Sequence, residues 1–418
     1  MKNSVLKTAL YALASKTFKL VTVLCIALLA TSLHAQKQYR GITVYIDYSD
    51  LPRPENETPE RLESLLNDLE YSEANIHRSV CKYWYEQSFG EVLLKHDIFY
   101  YRAPLPASHY AELNYKEGIL LWKEALEHVV ANNPDYDWNR LSTDTDGNLR
   151  SVMFYNSDNF VSWIAAAHHG GWTLANGVKT KSVYGSYLIR NGEPSLFTPI
   201  HESGHAFFRF PDTYDTGYDS GGAGAYTVMS GGKTSLIEPV GAPFRVEKNW
   251  GRVIKIAPKP GTQTFTLKAD GDAVVVYKNP LDDKEYFSIE ARKQSTLGNE
   301  KFPVDLGLLF WHTDLNVKTS NKEQGMTPEK HYKHAIVQAD GLFELERGPA
   351  KPTNRGNAGD IYVPGKSFND TSLPNSKWWD GTSSHLEITN IRFIEEDQIR
   401  FDVIFPKVTP KSTTKDKI

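Results

Sequence analysis

The hydrophobic residues of the first half of the chain recur with two periods, one typical of helices and one typical of strands. From Thr58 to Trp84 the apolar residues lie at helical spacing, which predicts a helix ending at Ser88-Phe89-Gly90. A second helix is predicted from Ile119 to Val130. Runs of β-branched and aromatic residues predict strands at 41–48, 92–101, 152–155 and 182–190.

From about residue 260 onward the pattern predicts strands only, at 262–267, 274–277, 286–290, 306–312 and 336–338. Near the end of the chain, apolar residues alternate with others on both sides of Glu395-Glu396-Asp397: Ile391, Phe393, Ile399, Phe401, Val403 and Phe405. Alternation of this kind predicts a hairpin with one buried face. The expected fold class is α+β, a mixed α/β domain followed by an all-β, sandwich-like C-terminal domain.

The two ends of the chain have a different character. Four lysines precede an apolar run from Leu20 to Ser32, and Ala35 offers a small residue for cleavage before Gln36. This predicts a signal peptide at 1–35 and a secreted product, extracellular or periplasmic, with a retained signal anchor as the alternative. The expected domains are then 36–255 and 256–406, and the Lys/Thr-rich residues 407–418 are expected to be disordered.

Composition excludes several classes of protein. The 40% hydrophobic and 23% charged residues are typical of a globular protein. The formal net charge is −4 and no basic stripe occurs, which argues against a nucleic-acid partner. Of the two cysteines, Cys25 lies in the predicted signal peptide, so the mature chain would hold only Cys81 and no internal disulfide. We expect no membrane span in the mature chain, and the composition gives no indication of the oligomeric state.

The sequence His201-Glu202-Ser203-Gly204-His205 is the strongest chemical signal. On a helix, residues i and i+4 share a face, so both imidazoles can bind one metal ion. Zinc suits such ligands and keeps a position open for water in catalytic sites. Glu202 lies beside that face, where it can accept a proton from a water molecule that the metal activates. Thr198-Pro199 predicts an N-cap and a first-turn proline.

Five segments together resemble the M6 family of secreted bacterial metallopeptidases, whose best-known member is immune inhibitor A. They are 79–90 (SVCKYWYEQSFG), 201–215 (HESGHAFFRFPDTYD), 226–232 (YTVMSGG), 307–314 (GLLFWHTD) and 356–365 (GNAGDIYVPG). The resemblance implies a zincin-like catalytic domain, a metzincin-like zinc site, and a methionine turn in which Met229 packs under the metal. Metzincin-like peptidases usually carry glycine three residues after the second histidine, where this chain has Phe208. One extra residue also precedes the Pro-Asp pair.

The third zinc ligand is expected at Asp212. Phe210-Pro211 should end the helix, because proline removes a donor and restricts the residue before it. Asp212 follows at once and matches the family's aspartate once the extra residue is allowed for. Asp215 is the runner-up, since the insertion could change which carboxylate faces the metal. Glu238 or Glu247 would serve in a site like that of thermolysin, and Tyr214 and Asp219 rank below them.

Other polar residues have weaker claims. The segment Asp144-Thr145-Asp146-Gly147-Asn148 resembles a calcium loop, but its glycine comes too early for an EF-hand. A solvated turn is the favoured interpretation, and Ca²⁺ stays open as a second cofactor beside Zn²⁺. His168 and His169 could line the cleft, although a structural or solvent-exposed role is favoured. His312 is interpreted as a histidine at the edge of the core.

The hypothesis that follows is a secreted zinc endopeptidase acting on proteins or peptides. Its ligands are His201, His205 and Asp212, and Glu202 is the general base and later the proton donor to the leaving amine. The alternative is a non-catalytic cell-surface binding protein built on a peptidase-like domain. A zinc hydrolase of another class would normally use different ligand spacing.

Overall fold

The computed structural model describes residues 36–73, 78–156, 166–190, 192–230, 237–294, 304–322, 325–347 and 355–406. The predicted signal peptide at 1–35 and the predicted disordered tail at 407–418 lie outside these residues. The described chain is a mixed α/β structure with several sheets. None of the helices in these ranges is both long enough and apolar enough to cross a membrane.

Seven α-helices occur in the described ranges: α1 Pro59–Asn67, α2 Val80–Gln87, α3 Ala107–Ala111, α4 Tyr115–Asn132, α5 Phe197–Ser203, α6 Ala242–Lys248 and α7 Glu344–Arg347. A π-helical turn, Gly204–Phe208, continues α5. Two 3-10 turns, Trp138–Arg140 and Ala358–Asp360, complete the helical structure described.

The strands are β1 Lys37–Tyr48, β2 Val92–Ala103, β3 Asn148–Leu149, β4 Val152–Asn156, β5 Ala166–His168, β6 Lys179–Thr180, β7 Val183–Ser186, β8 Ile189–Arg190, β9 Glu193–Pro194, β10 Arg252–Lys255, β11 Gly261–Lys268, β12 Ala273–Lys278, β13 Glu285–Lys293, β14 Leu306–Asp314, β15 His334–Ile336, β16 Glu387–Glu395 and β17 Gln398–Phe405.

A five-stranded sheet in the order β2-β1-β4-β7-β5 organises the first half of the chain. Strands β1, β4 and β7 are parallel neighbours, and β5 runs antiparallel to β7. Helix α4 covers one face, where Trp122 stacks on Phe154 with ring centroids 5.2 Å apart. Helices α1, α2 and α5 cover the other face. Because both faces are covered, the central strand β4 is buried along its whole length.

The single helix predicted from residue 58 to Ser88 is wrong, because the chain forms two helices there. The Thr58 side chain accepts a hydrogen bond from Arg61 N and caps α1, which ends at Asn67. Ser79 caps α2 in the same way by accepting from Lys82 N. Both are N-cap residues that the periodicity alone does not reveal. The strand predicted at 182–190 is likewise divided into β7 and β8.

Two sheets organise the second half of the chain, one in the order β10-β12-β13-β14-β15 and one in the order β11-β17-β16. One hydrophobic core includes residues from both sheets. The opposite face of the five-stranded sheet packs on α6 and on residues 223–226. Strand β13 is therefore buried on both faces, and only its last residue is exposed.

The predicted C-terminal hairpin is confirmed, since β16 and β17 pair as antiparallel neighbours. The single buried face is only partly right, because Ile391 is 4% exposed and Phe393 is 47% exposed. Irregular register between Thr389 and Arg392, and again between Phe393 and Glu395, interrupts the alternation of β16. An irregularity of this kind shifts which side chains face the core.

The junction between the two halves is extensively packed. Trp250 lies in the N-terminal core, with its ring 6.1 Å from Trp84 and 4.9 Å from Phe208. Residues 252–255, just before the expected domain border, already belong to the C-terminal sheet as β10, which pairs in parallel with β12.

Cys81 is buried in α2 and is a free thiol.

Candidate metal centre

The helix that carries the histidines begins at Phe197, with Leu196 at the N-cap and no side-chain capping bond. The prediction that Thr198 is the N-cap is therefore wrong. Pro199 still lies within the first turn, where its missing N–H has no partner inside the helix in any case. His201 follows within the same helix and His205 within the π-helical turn.

Backbone carbonyls fix the orientation of both imidazoles. His201 Nδ1 lies 2.8 Å from the Val228 carbonyl oxygen, and His205 Nδ1 lies 2.6 Å from the Phe210 carbonyl oxygen. A nitrogen that donates to a carbonyl carries the proton of the neutral ring. The Nε2 atom of each ring is thereby left with a lone pair for a metal, as is usual for ligating histidines.

Asp212 completes a cluster of three donor atoms. Its Oδ1 lies 3.0 Å from His201 Nε2 and 3.3 Å from His205 Nε2, and the two Nε2 atoms are 3.1 Å apart. Among the described residues these three form the group that could hold a metal ion. Tetrahedral ligands about 2.0–2.1 Å from zinc lie about 3.3 Å from one another, so the donor set suits this ion in size and in chemistry.

A π-helical turn begins at Gly204, includes His205 and lengthens the path of the chain to Asp212. A π turn holds an extra residue within a helix, and such turns often occur at functional sites. The helix then ends at Arg209, whose φ of +60° is left-handed. Phe210 N donates to the Gly204 carbonyl oxygen across this end, at 3.2 Å. A left-handed arginine therefore makes the sharp bend at this helix end, where glycine is the commonest residue.

The charges of the cluster favour a cation at its centre. Burial alone would lower the pKa of His205, but the hydrogen bond and the charge of Asp212 outweigh burial and raise it to about 9. For Asp212, burial alone would raise the pKa, but hydrogen bonds from His201 and His205 hold it well below its usual range. The carboxylate is therefore ionised, and its negative charge favours a positive charge beside it, either a proton on His205 or a bound metal ion.

Glu202 is buried next to this cluster. Burial raises the pKa of its carboxyl group, and His201 and His205 offset this effect only in part. Its Oε2 atom is buried and has no hydrogen-bond partner in the described part of the chain. A buried carboxylate oxygen without a partner is costly, so this atom is a candidate to bind a water molecule or a substrate beside the cluster.

Met229 packs directly against the helix that carries His201 and His205. A Cβ atom added to Gly204 would lie 2.6 Å from Met229 Sδ and 3.4 Å from the Trp84 ring. Glycine is therefore needed at position 204 for the helix to approach the methionine so closely. Met229 is fully buried, and its carbonyl oxygen accepts a hydrogen bond from Thr213 N at 2.8 Å. The methionine segment is thus joined to the residue that follows Asp212.

The loop from Asp212 to Ser230 is held by residues far away in the sequence. Asn321 Nδ2 donates to the Thr213 carbonyl oxygen at 2.8 Å, and Thr216 N donates to the Asn321 carbonyl oxygen at 2.7 Å. Further bonds join Ser220 to Tyr332, Gly221 to Leu345, and Ala225 to Arg355. The sequence pattern did not single out Asn321, Tyr332 or Leu345, since none of them belongs to a motif.

The segment 356–365 has a structural role at this loop. Tyr226 donates through its hydroxyl group to Asp360 Oδ2 at 2.7 Å, and the hydroxyl also lies 3.1 Å from the Asn357 carbonyl oxygen. The ring of Tyr226 lies so close to Gly356 that a Cβ atom there would come within 2.5 Å of it. The sequence singles out this C-terminal motif, but only the structure shows that it contacts Tyr226.

The other residues considered as the third ligand lie outside the three-residue cluster and have other partners or neighbours. Asp215 accepts hydrogen bonds from Gly217 N, Asp219 N, and the Ser220 amide and hydroxyl groups, at 2.8–3.1 Å, so it caps its own loop. Glu238 pairs with Arg292 at 3.0 Å, and Glu247 lies 3.7 Å from His334. Tyr214 flanks the cluster, with its ring centroid 6.4 Å from that of His201.

The residues with weaker claims also have defined surroundings. Asp144 accepts hydrogen bonds from Asp146 N and Asn148 N at 2.9 and 3.0 Å, which is the geometry of an Asx turn, and its side chain is only 6% exposed. His169 lies 3.0 Å from Ser182 Oγ near the site. His312 lies 2.9 Å from Glu285 Oε1 and stacks on Trp379 within the C-terminal half, away from the three ligands.

No protein-family model matches the chain, and a search of curated proteins gives no significant match.

Proposed function

We propose that this protein is a secreted zinc-dependent endopeptidase of the M6 type. In this proposal residues 36–255 form a zincin-like catalytic domain and residues 256–406 form a β-sandwich, with proteins or peptides as substrates. The observation that carries the proposal is the convergence of His201 Nε2, His205 Nε2 and Asp212 Oδ1 within 3.3 Å of one another, with the buried Glu202 beside them.

The chain supplies binding, orientation and proton transfer. His201, His205 and Asp212 would hold the cation, and the carbonyl groups of Val228 and Phe210 keep the imidazoles aimed at it. A bound zinc ion would supply a Lewis acid that polarises the scissile carbonyl and lowers the pKa of water. Glu202 accepts a proton from the attacking water and passes it to the nitrogen of the leaving amine. Its raised pKa suits this exchange, because a base with a pKa nearer neutrality also donates readily.

The first experiment is the Glu202→Gln variant, assayed on casein and on a peptide library with zinc present. The amide cannot take up the proton, so the rate should fall by at least ~100-fold while the zinc content and the unfolding temperature stay close to wild type. Glu127→Gln, an exposed change in α4, is the matched control and should keep full activity. A Glu202→Gln variant with the wild-type rate would remove Glu202 from the mechanism.

The same assay with a chelator tests the wider proposal. The wild-type protein should lose activity when zinc is removed and recover it when zinc is restored. A protein that binds zinc but cleaves no peptide would favour the alternative of a non-catalytic binding protein. Secretion is tested separately, by sequencing the N-terminus of the exported protein, which should begin at Gln36.

A further inference from the structure

Arg292 on β13 makes contacts that join the C-terminal sheet to the segment carrying Met229. Its side chain is almost completely buried. One guanidinium nitrogen, Nη1, donates to the Tyr226 carbonyl oxygen at 3.0 Å, and Nη2 donates to Glu238 Oε2 at 3.0 Å. Glu290 on the same strand lies 3.6 Å away. One planar group thus binds two acceptors on different parts of the chain.

Those two acceptors flank the methionine segment on its two sides. Tyr226 precedes Met229, and Glu238 follows it. The flanks are also joined directly, since Val228 N donates to the Pro239 carbonyl oxygen at 3.1 Å and Thr227 Oγ1 donates to the Val240 carbonyl oxygen at 2.7 Å. Arg292 therefore bridges the chain segment that precedes Met229 and the segment that follows it. We call the contacts among Tyr226, Glu238 and Arg292 the neck.

The position of the neck is passed on to two of the three metal ligands. The Val228 carbonyl oxygen orients His201, and the Met229 carbonyl oxygen accepts from Thr213 N, next to Asp212. A displacement of residues 226–229 would therefore turn one imidazole and move the carboxylate. The His205 imidazole is oriented by the Phe210 carbonyl oxygen instead.

Charge neutralisation alone does not account for Arg292. Glu290 has its own partners, because its Oε1 accepts from Ala242 N at 3.1 Å and from Trp311 Nε1 at 2.9 Å. The hydrogen bond to the neutral Tyr226 carbonyl group is also directional and carries no net charge. It specifies where the backbone lies rather than how much charge is buried.

We propose that Arg292 is a positioning residue for the metal centre, acting from the C-terminal half by fixing residues 226–229 and through them His201 and Asp212. The inference rests on the proposed function in taking zinc as the cation. It makes the C-terminal half part of the metal site without any ligand of its own. Partners that hydrogen-bond a metal ligand directly typically contribute 10–100-fold to metal affinity, and Arg292, one contact further out, is expected to contribute toward the lower end of that range.

The test is Arg292→Lys, which keeps the buried positive charge but lacks the fork that reaches both acceptors. Zinc affinity, measured by competition with a chromophoric chelator, should fall by about 10-fold or more. Hydrogen exchange of metal-free protein should speed up in peptides covering 212–230 and stay unchanged in β16 and β17. At saturating zinc, kcat should fall while KM stays close to wild type.

The matched control is Arg245→Lys. Arg245 is also a buried arginine near the junction, but it donates to the Asp272 carbonyl oxygen and lies over Phe89, without touching residues 226–229. Its substitution should leave zinc affinity and exchange at 212–230 unchanged. If Arg292→Lys behaves like Arg245→Lys in both measurements, the positioning role is wrong.

If Arg292→Lys does not fold, the double variant Arg292→Met with Glu238→Gln takes its place, since it removes both members of the buried ion pair together. It should fold, lose zinc affinity and exchange faster at 212–230, and wild-type values would overturn the inference. A wild-type protein that binds no zinc would overturn the proposed function instead. The exchange measurement uses metal-free protein, so it still decides on Arg292 in that case.

Discussion

The two parts of the candidate metal centre are built in opposite ways. His201, Glu202 and His205 lie within five consecutive residues on one helix, and the helix itself places their side chains together. Asp212 and Met229 lie on a loop that takes its shape from Asn321, Tyr226–Asp360 and Arg292 contacts. The first part is local in sequence and the second depends on the C-terminal half.

The difference shows which contacts hold each part of the site in place. A helix holds residues i and i+4 together by its own hydrogen bonds, so few other contacts are needed. A loop without regular structure must have its backbone groups paired with the rest of the protein. Changes on the helix at residues other than the two histidines should therefore alter chemistry or local packing, whereas changes around the loop should alter metal affinity.

The largest effect in this comparison is expected at Asp212. Asp212→Ala removes the proposed third ligand, so zinc affinity measured by elemental analysis and chelator competition should fall by more than about 100-fold. Asp215→Ala removes only a loop cap and should keep most of the zinc. Because it leaves buried N–H groups without an acceptor, it should still lower the free energy of unfolding by about 1–3 kcal/mol. The reverse result would make Asp215 the ligand.

An intermediate effect is expected at the contact between helix and loop. Gly204→Ala would place a methyl group 2.6 Å from Met229 Sδ, so the free energy of unfolding in urea should fall by about 1–3 kcal/mol. The measurement is repeated in a Met229→Ala background, where the added methyl group meets open space and should cost much less. Equal costs in both backgrounds would show that the contact with Met229 is not what requires glycine.

The smallest effect is expected at Arg209, which ends the helix with a φ of +60°. Arg209→Gly should raise the free energy of unfolding by about 0.5–1 kcal/mol, because glycine adopts this conformation without steric cost. Arg209→Ala removes the same side chain, including its exposed contact with Asp144, but keeps the strain. It should be no more stable than wild type, and a gain equal to that of glycine would show that the backbone conformation is not the cause.

The features that the sequence predicts correctly are those that local patterns determine. The strands β1, β2, β4 and β11–β14, the helix α4 and the C-terminal hairpin follow from periodicity, and the pairing of His201 with His205 follows from helical spacing. Asp212 is predicted from Pro211, a local signal that ends a helix, together with the resemblance to a known family of peptidases. The structure brings this residue to the two histidines, whereas its identity as a ligand stays a prediction.

The features that the sequence does not predict depend on contacts between distant residues or on backbone irregularities. Asn321 belongs to no motif, and only the folded chain brings its amide group to Thr213. The π turn at Gly204–Phe208 and the left-handed Arg209 are backbone conformations that the residue types at these positions do not predict. The irregular register that exposes Phe393 breaks an alternation that looks regular in the sequence.

Cys81 offers a way to observe the molecule at work. It is the one cysteine in the described part of the chain, and its thiol is enclosed between α2 and the N-terminal sheet. Burial raises the pKa of this thiol, so little reactive thiolate forms while the core stays closed. The rate of labelling by a thiol reagent should then report how often α2 separates from β2, and each variant can be compared by this rate without any added probe.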